Sequence, residues 1–439
     1  MPSDRYVLTL SPTSGGDPDL GAMRGRAIAD AYARFRRTQG DDVLLDPAVD
    51  DALVERWGQW LLERLAAADL IYRRDGEGWR LRSGNLHAES ERRLDELQGW
   101  SDAAVAGQRR LLEHVDDPGD TGNELEQSLS KLAAAGWSVD SKKDKGPPTV
   151  HYAAGDMPLA TGDDWRAPGT LHPRFAAALA ALIGAAPPGP DVDPAAHGAE
   201  LAGALPALAV VSSGADAALL DLRTVAKALR DAGALDLPDG EPAGPVLASG
   251  PFKLRAAKRK ATASANGATP VADANDPAAQ IAARGADAVR FALLHAAAPE
   301  KRFAGEDDVV GYAASFLAGL REFASTHLDG TTAAAEIDSS DALRRRLAGW
   351  CDTAVAKTAE NYERLDLHRA TRNAIALFAR IEDFEARVAR ERSEVTGRDR
   401  EAVAVAVAVL AKLLTPLAPA AADDLAPRGE RVAAAAHHG

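Results

Sequence analysis

Two clusters of cations stand out as residues able to meet an anion: Lys253-Leu-Arg-Ala-Ala-Lys-Arg-Lys260, and Arg344, Arg345 and Arg346. Clustered Lys and Arg neutralise phosphates, and a solvated charge run is the competing explanation for each. Near the N-terminus, Tyr6-Val-Leu-Thr-Leu-Ser-Pro-Thr-Ser-Gly-Gly-Asp-Pro-Asp-Leu-Gly-Ala-Met-Arg24 passes from an apolar run through a glycine-rich turn into a helix start. Asp19 is well placed there as a helix N-cap. Ser11 and Ser14 lie in the turn without a paired base, which fits turn formation better than nucleophilic catalysis. His87, His151, His172 and His295 have neither metal-ligand spacing nor a nucleophilic partner, so packing or surface roles are expected. A single cysteine, Cys351, excludes a disulfide within the chain and any cysteine-based zinc site, and no metal site is expected.

The elements that must position these groups divide the chain by periodicity. From 1 to about 80, apolar strand-like runs alternate with helical patterns, as in a parallel α/β sheet. Val7–Leu10 reads as the first strand and Leu20–Arg37 as the helix after it. Residues 81–205 read as an insertion, with an alanine-rich helix at Phe175–Ile183. Leu208-Ala-Val-Val-Ser-Ser-Gly214 reads as a strand re-entering the sheet, followed by a helix over Ala217–Ala232. The last third carries three apolar stripes at helical spacing: Leu343, Leu347, Trp350, Ala354; Leu377, Ile381, Phe384, Val388; and Val403, Val407, Leu410, Leu414. The expected fold class is α/β followed by all-α, with a split nucleotide-binding-type domain over 1–80 and 206–310. A helical bundle is expected over 311–432, with a frayed tail at 433–439 whose His437 and His438 bind no metal.

At 439 residues the chain can bury a large core. It has no run of 18 apolar residues and no charged-then-apolar start, so no membrane contact and a cytoplasmic location are expected. The net charge of -14 is an awkward balance for a partner of a polyanion, which leaves the local basic patches as the only candidates. Oligomeric state is not readable from these features.

Several segments, in order, resemble the leucyl-tRNA synthetases, a family of class I aminoacyl-tRNA synthetases. The Tyr6–Arg24 segment has the shape of the family's "HIGH" region. Lys260-Ala-Thr-Ala-Ser264 with Gly285-Ala-Asp-Ala-Val-Arg290 is similar to "KMSKS" and the sequence after it. Trp57-Gly-Gln-Trp-Leu-Leu-Glu-Arg-Leu65, Trp137-Ser-Val-Asp-Ser-Lys-Lys-Asp-Lys-Gly-Pro-Pro148 and Ala297-Ala-Pro-Glu-Lys301 match further family segments. The helices from Ala342 to Pro419 resemble the anticodon-binding bundle.

The resemblance implies a class I Rossmann-like nucleotide fold with a shortened connective insertion and no full editing domain. It implies ATP as cofactor, leucine or another small amino acid and tRNA as partners, and leucine-tRNA ligation as the ancestral reaction. It assigns the nucleotide-binding positions to Asp19, Gly21, Ala22 and Arg24, with Asp19 and Ala22 standing where the family has histidines. It assigns the catalytic loop to Lys260, Thr262 and Ser264, with Ala263 where the family has a lysine. Ala217 and Asp221 stand near a further pair of family histidines, and Arg344, Arg345 and Arg346 fall in the nucleic-acid-binding bundle. Losing one such donor costs ~10²–10³ in rate, so a catalytically impaired or inactive paralogue is expected. The alternatives are a noncatalytic tRNA-binding or regulatory protein, and an altered adenylating or aminoacyl-transferring enzyme with a different acceptor.

Overall fold

The computed structural model describes residues 5–10, 19–46, 49–81, 92–93, 137–140, 149–152, 157–184, 186, 192–194, 196–197, 201, 208–212, 216–232, 246–255, 273–306, 308–327, 336–392 and 394–425. In chain order the elements begin with β1 (Arg5–Leu10), α1 (Leu20–Thr38), β2 (Val43–Leu45), α2 (Asp51–Ala67), β3 (Ile71–Arg74) and β4 (Gly78–Leu81). Next come β5 (Arg92–Arg93), β6 (Trp137–Asp140), β7 (Thr149–Tyr152), β8 (Pro158–Ala160), α3 (Pro173–Ile183), β9 (Leu208–Val211), α4 (Asp216–Asp231) and β10 (Val246–Ala248). The remainder is β11 (Phe252–Arg255), α5 (Pro277–Arg284), α6 (Ala286–His295), β12 (Phe303–Glu306), α7 (Asp308–His327), α8 (Ala342–Glu363), α9 (Leu367–Glu391), α10 (Gly397–Leu414) and α11 (Pro419–Leu425). The chain forms two compact units, one of residues 1–17 and 39–249 and one of residues 18–38 and 250–439.

The first unit is built on a four-stranded sheet in the order β10-β9-β1-β2, every pair parallel. Val7, Leu8 and Leu10 are buried, as is all of Leu208–Val211, the continuous apolar pattern that a parallel strand covered on both faces requires. Leu8, Leu10, Ala209 and Val211 join one core with Trp57, Leu61 and Leu62 of α2, Phe175 and Leu179 of α3, and Leu222 and Val225 of α4. The 81–205 region contributes β8 to an antiparallel sheet β3-β4-β8 and the strands of a second, β5-β7-β6. Residues 141–148 of the family-like Trp137–Pro148 segment lie outside the described residues, as do Ser11, Ser14 and the 433–439 tail.

The second unit contains α1, β11, β12 and all the later helices. It takes in α1 through Phe35 stacked on Tyr362, the Arg36–Glu363 and Arg290–Asp30 ion pairs, and the side chain of Arg24. Arg24 is fully buried, and all five of its guanidinium N–H donors are used: Nε to the carbonyl of Leu293 (3.1 Å), Nη1 to Gly250 (3.2 Å) and Lys301 (2.8 Å), Nη2 to Ala297 and Ala298 (2.8 Å each). Those carbonyls come from the start of β11, the end of α6 and the Ala297–Lys301 turn, so one cation closes three segments around the helix. Burial pulls the Arg24 pKa down to about 10, opposed by the charge of Glu300, which leaves it protonated at neutral pH. The segments meet closely enough only because residue 250 is glycine: a Cβ there would lie 2.5 Å from the Lys301 carbonyl carbon and oxygen.

Two of the bundle helices start on side-chain caps. Thr396 and Asp399 form a reciprocal capping box at α10, and the Asp341 carboxylate accepts from the N–H groups of Leu343 and Arg344 at α8. Asp399, 1% exposed, pairs with Arg392 (2.6 Å) and Arg344 (3.1 Å), and Arg392 also reaches Asp341 (2.6 Å). Burial works against the charged form of Asp399, but hydrogen bonds from Thr396 and Arg344 with the charge of Arg392 outweigh it and hold its pKa below the usual range. The second and third apolar stripes are buried as expected. In α8 the inward face is instead Arg344, Leu347, Cys351, Ala354, Thr358 and Tyr362, which leaves Leu343 and Trp350 only half-buried. Burial pushes the Cys351 thiol up to about 12, with Asp352 adding to the effect, so the lone cysteine is unreactive at neutral pH.

Two expectations follow for stability. Arg24→Lys supplies three donors at most and strands two or more buried carbonyls, so denaturant unfolding should show a loss of at least about 2 kcal/mol; a loss under about 0.5 kcal/mol contradicts the keystone role. The carboxylate of Asp399, held below its unfolded value, stabilises above about pH 4, and that contribution disappears as pH falls through the lower folded value. Asp399→Asn should therefore cost about 3 kcal/mol at neutral pH and flatten the fall in Tm between about pH 5 and 2. An unchanged acid profile would show that another carboxylate governs it.

Candidate functional site

The four N-terminal site positions fall on the N-cap and first two turns of α1. Asp19, exposed, is the N-cap: its Oδ1 accepts the Ala22 N–H at 2.8 Å and its carbonyl accepts the Met23 N–H at 2.9 Å. A helix N-terminus attracts anions because its first N–H groups lack partners and its dipole is positive there. At α1 the chain supplies that anion itself. Gly21 and Ala22 are buried, and the Ala22 methyl is only 5% exposed. Arg24, one turn on, is closed off by its five carbonyls. These residues do not fit a triphosphate: an incoming phosphate meets a carboxylate on the donor it needs, a methyl in place of a second donor, and a cation that cannot turn outward.

Lys260, Thr262 and Ser264 lie outside the described residues. Asp221 is buried and forms a two-pronged pair with Arg174, Nε to Oδ2 at 2.8 Å and Nη2 to Oδ1 at 2.6 Å. That hydrogen bond raises the Arg174 pKa, and Asp221 ties α4 to the first turn of α3. His172 caps the same turn by accepting the Arg174 N–H; burial and then the Arg174 charge lower its pKa, so it is a neutral cap. Ala217 is in α4, near its start.

Of the three bundle arginines, Arg344 points inward, 6% exposed, onto Asp399, Asp338 and the Asp338 carbonyl. It is a strut between helix starts and not a surface cation. Arg345 is exposed, and Arg346 is exposed and lies over the Trp350 ring.

Sequence reasoning missed the carboxyl ends of the strands in the first unit. The strand order reverses direction between β1 and β9, and open α/β sheets take ligands outside the carboxyl ends at such a point. At the carboxyl ends of β1 and β10, Thr9 Oγ1 and Ser249 Oγ are buried and have no hydrogen-bond partner among the described residues. Asp46, at φ 41°, accepts the Thr9 N–H at 2.6 Å. Nothing in the residue types singled out these hydroxyls, since their burial depends on strand register. Among the described residues no group of three or more His, Cys, Asp or Glu is placed to hold a metal ion, and no helix is long and apolar enough to cross a membrane.

No family model and no curated protein sequence matches the chain. Solved structures do. Mycobacterium tuberculosis methionyl-tRNA synthetase in complex with methionyl-adenylate superposes with a TM-score of 0.61 at 16% identity, over 99% of this chain and 96% of that one. Its apo form gives 0.60 at 16% identity, over 99% and 94%. The Agrobacterium radiobacter LeuRS in a ternary complex with tRNA and LeuAMS gives 0.55 at 14% identity, over 96% and 84%. At these identities the likeness speaks for the fold, over nearly the whole chain. The protein has the fold of the class I aminoacyl-tRNA synthetases, a Rossmann-like parallel sheet and a helical bundle.

Proposed function

We propose that the chain is a cytoplasmic, leucyl-tRNA-synthetase-like paralogue that no longer activates an amino acid at the start of α1 and keeps an RNA of the tRNA class as its partner. The observation that carries this reading is the Asp19 carboxylate seated on the Ala22 N–H. Like charges about 4 Å apart repel by ~4 kcal/mol at an effective dielectric of 20, and the cap would have to be broken before a phosphate took its place. Leucine as the ancestral amino acid is supported by the order of the family-like segments along the chain. The RNA partner is supported by the bundle and by the Agrobacterium neighbour, which is a complex with tRNA.

A second reading, an altered adenylating or aminoacyl-transferring enzyme with another acceptor, is favoured by one observation. The unpaired hydroxyls of Thr9 and Ser249 offer polar contacts at the carboxyl ends of the sheet.

Amino-acid-dependent ATP–pyrophosphate exchange, run with each of the common amino acids, separates the two. No exchange with any of them is expected. Exchange with leucine at a rate ordinary for a synthetase sinks the first reading, and exchange with a different amino acid favours the second. The cap role has its own check in thermal unfolding. Asp19→Asn should be nearly neutral because Asn caps as well as Asp, and Asp19→Ala should cost about 1 kcal/mol. Ala22→His, which restores the family residue, should cost about 1–3 kcal/mol by overpacking a buried site.

A further inference from the structure

Two histidines meet where the end of α6 packs on the start of α9, in surroundings set against positive charge. His295, the last residue of α6, lies half-buried between the rings of Phe291 and Tyr312, each with its centroid 5.8 Å away and its plane inclined by 23°. Its Nδ1 is 2.9 Å from Thr371 Oγ1. Thr371 spends its one hydroxyl proton on the His368 carbonyl at 2.8 Å, so it accepts from His295, and the neutral ring is the Nδ1–H tautomer. A second proton must therefore enter at Nε2. His368 sits in the first turn of α9, where the helix dipole opposes a cation, and its Nδ1 is buried with no hydrogen-bond partner among the described residues. Burial, then the charges of Arg372 and His368, lower the pKa of His295 and outweigh the dipole at the end of α6. Burial with Arg372 and Arg369 lowers that of His368, against the opposing charges of Asp366 and Glu300. Glu300 belongs to the Ala297–Lys301 turn and also favours the Arg24 cation. That turn, whose carbonyls hold Arg24, begins two residues after His295.

We propose that this junction is an acid-sensitive latch: neutral imidazoles fasten the end of α6 to α9, and in mildly acidic solution their protonation parts the two and loosens the turn that cradles Arg24. Protonation adds two cations beside Arg369 and Arg372, with Asp366 and Glu300 as the opposing carboxylates, and Glu300 already serves Arg24. The buried Nδ1 of His368 would gain a proton with no acceptor to meet it. The sign follows from linkage. A histidine whose pKa is lowered in the closed state and ordinary in the open one binds more protons when open, so the closed form is fully favoured above about pH 6.5 and loses ground as pH falls below it. Each histidine takes up at most one proton on opening. The latch requires neither a nucleotide nor an RNA, so it stands apart from the function proposed above.

The test is hydrogen exchange on the full chain between about pH 7 and 5, corrected for the intrinsic rate at each pH and read in peptides spanning 293–301 and 367–374. The opening constant there should rise about tenfold or more across that range, while peptides from α2 keep their protection. The double change His295→Gln, His368→Gln keeps an amide donor for Thr371 and cannot take up charge, so it should abolish the rise. Because that variant can disturb packing, nitrogen NMR of the imidazoles in the unaltered chain gives a second reading. His295 should be protonated at Nδ1 and bare at Nε2 at neutral pH, and both rings should gain their second proton below the ordinary value of about 6.5. A smaller rise, a rise that survives the double change, or α2 opening in parallel, which is global unfolding, overturns the latch. An Nε2–H tautomer at His295, or either ring titrating at or above the ordinary value, overturns it as well.

Discussion

The second unit closes around one buried cation whose donors all go to backbone carbonyls, with the Glu300 charge favouring its protonated form. All five donors of the Arg24 guanidinium, set in a fixed fork, go to carbonyls, so the backbone of three segments must converge in one geometry to satisfy it. A buried charge left short of hydrogen bonds costs several kcal/mol, which makes the arrangement all-or-none. The helix that carries Arg24 therefore belongs structurally to the chain after residue 250, although in sequence it follows the first strand of the sheet. The same commitment removes Arg24 from any role at a ligand. The residue that resemblance offered as a nucleotide contact is a structural pin, and the Ala297–Lys301 segment is the cradle that receives it.

Much of the fold could be read in the residues because periodicity and burial agree. The helix expected over Leu20–Arg37 is α1, Leu20–Thr38; the strand expected at Val7–Leu10 is the inner part of β1; and the stripes of α9 and α10 are the buried faces of those helices. In α10 the Ala-Val alternation from Ala402 also suits a strand, and the Thr396–Asp399 capping box together with the i, i+4 spacing of Val403 and Val407 resolves it as helix. The α8 stripe was misread by one position because Arg344 counts as polar in any apolar pattern. Here it is drawn inside by Asp399, a carboxylate on another helix that lies 55 residues away. Long-range pairing of this kind leaves no trace in local spacing.

The candidate site was readable at Asp19, whose residue type and place before a helix announce a cap, and unreadable at Thr9, Ser249 and Gly250, whose roles come from strand register and from the close approach of another backbone. Side-chain identity shows what a group can do; only the fold shows whether it is still free to do it. Arg24, Arg344 and Asp221 are chemically capable groups that the structure has already engaged.

The central claim is that the start of α1 supplies its own anion and so has no place for a phosphate. The most direct measurement is a crystal structure of the chain grown with ATP and leucine. The account predicts the Asp19 carboxylate still on the Ala22 N–H, with no phosphate oxygen within hydrogen-bond distance of the first turn of α1. Density for a triphosphate there, with Asp19 turned away and protein cations ligating its oxygens, would contradict it.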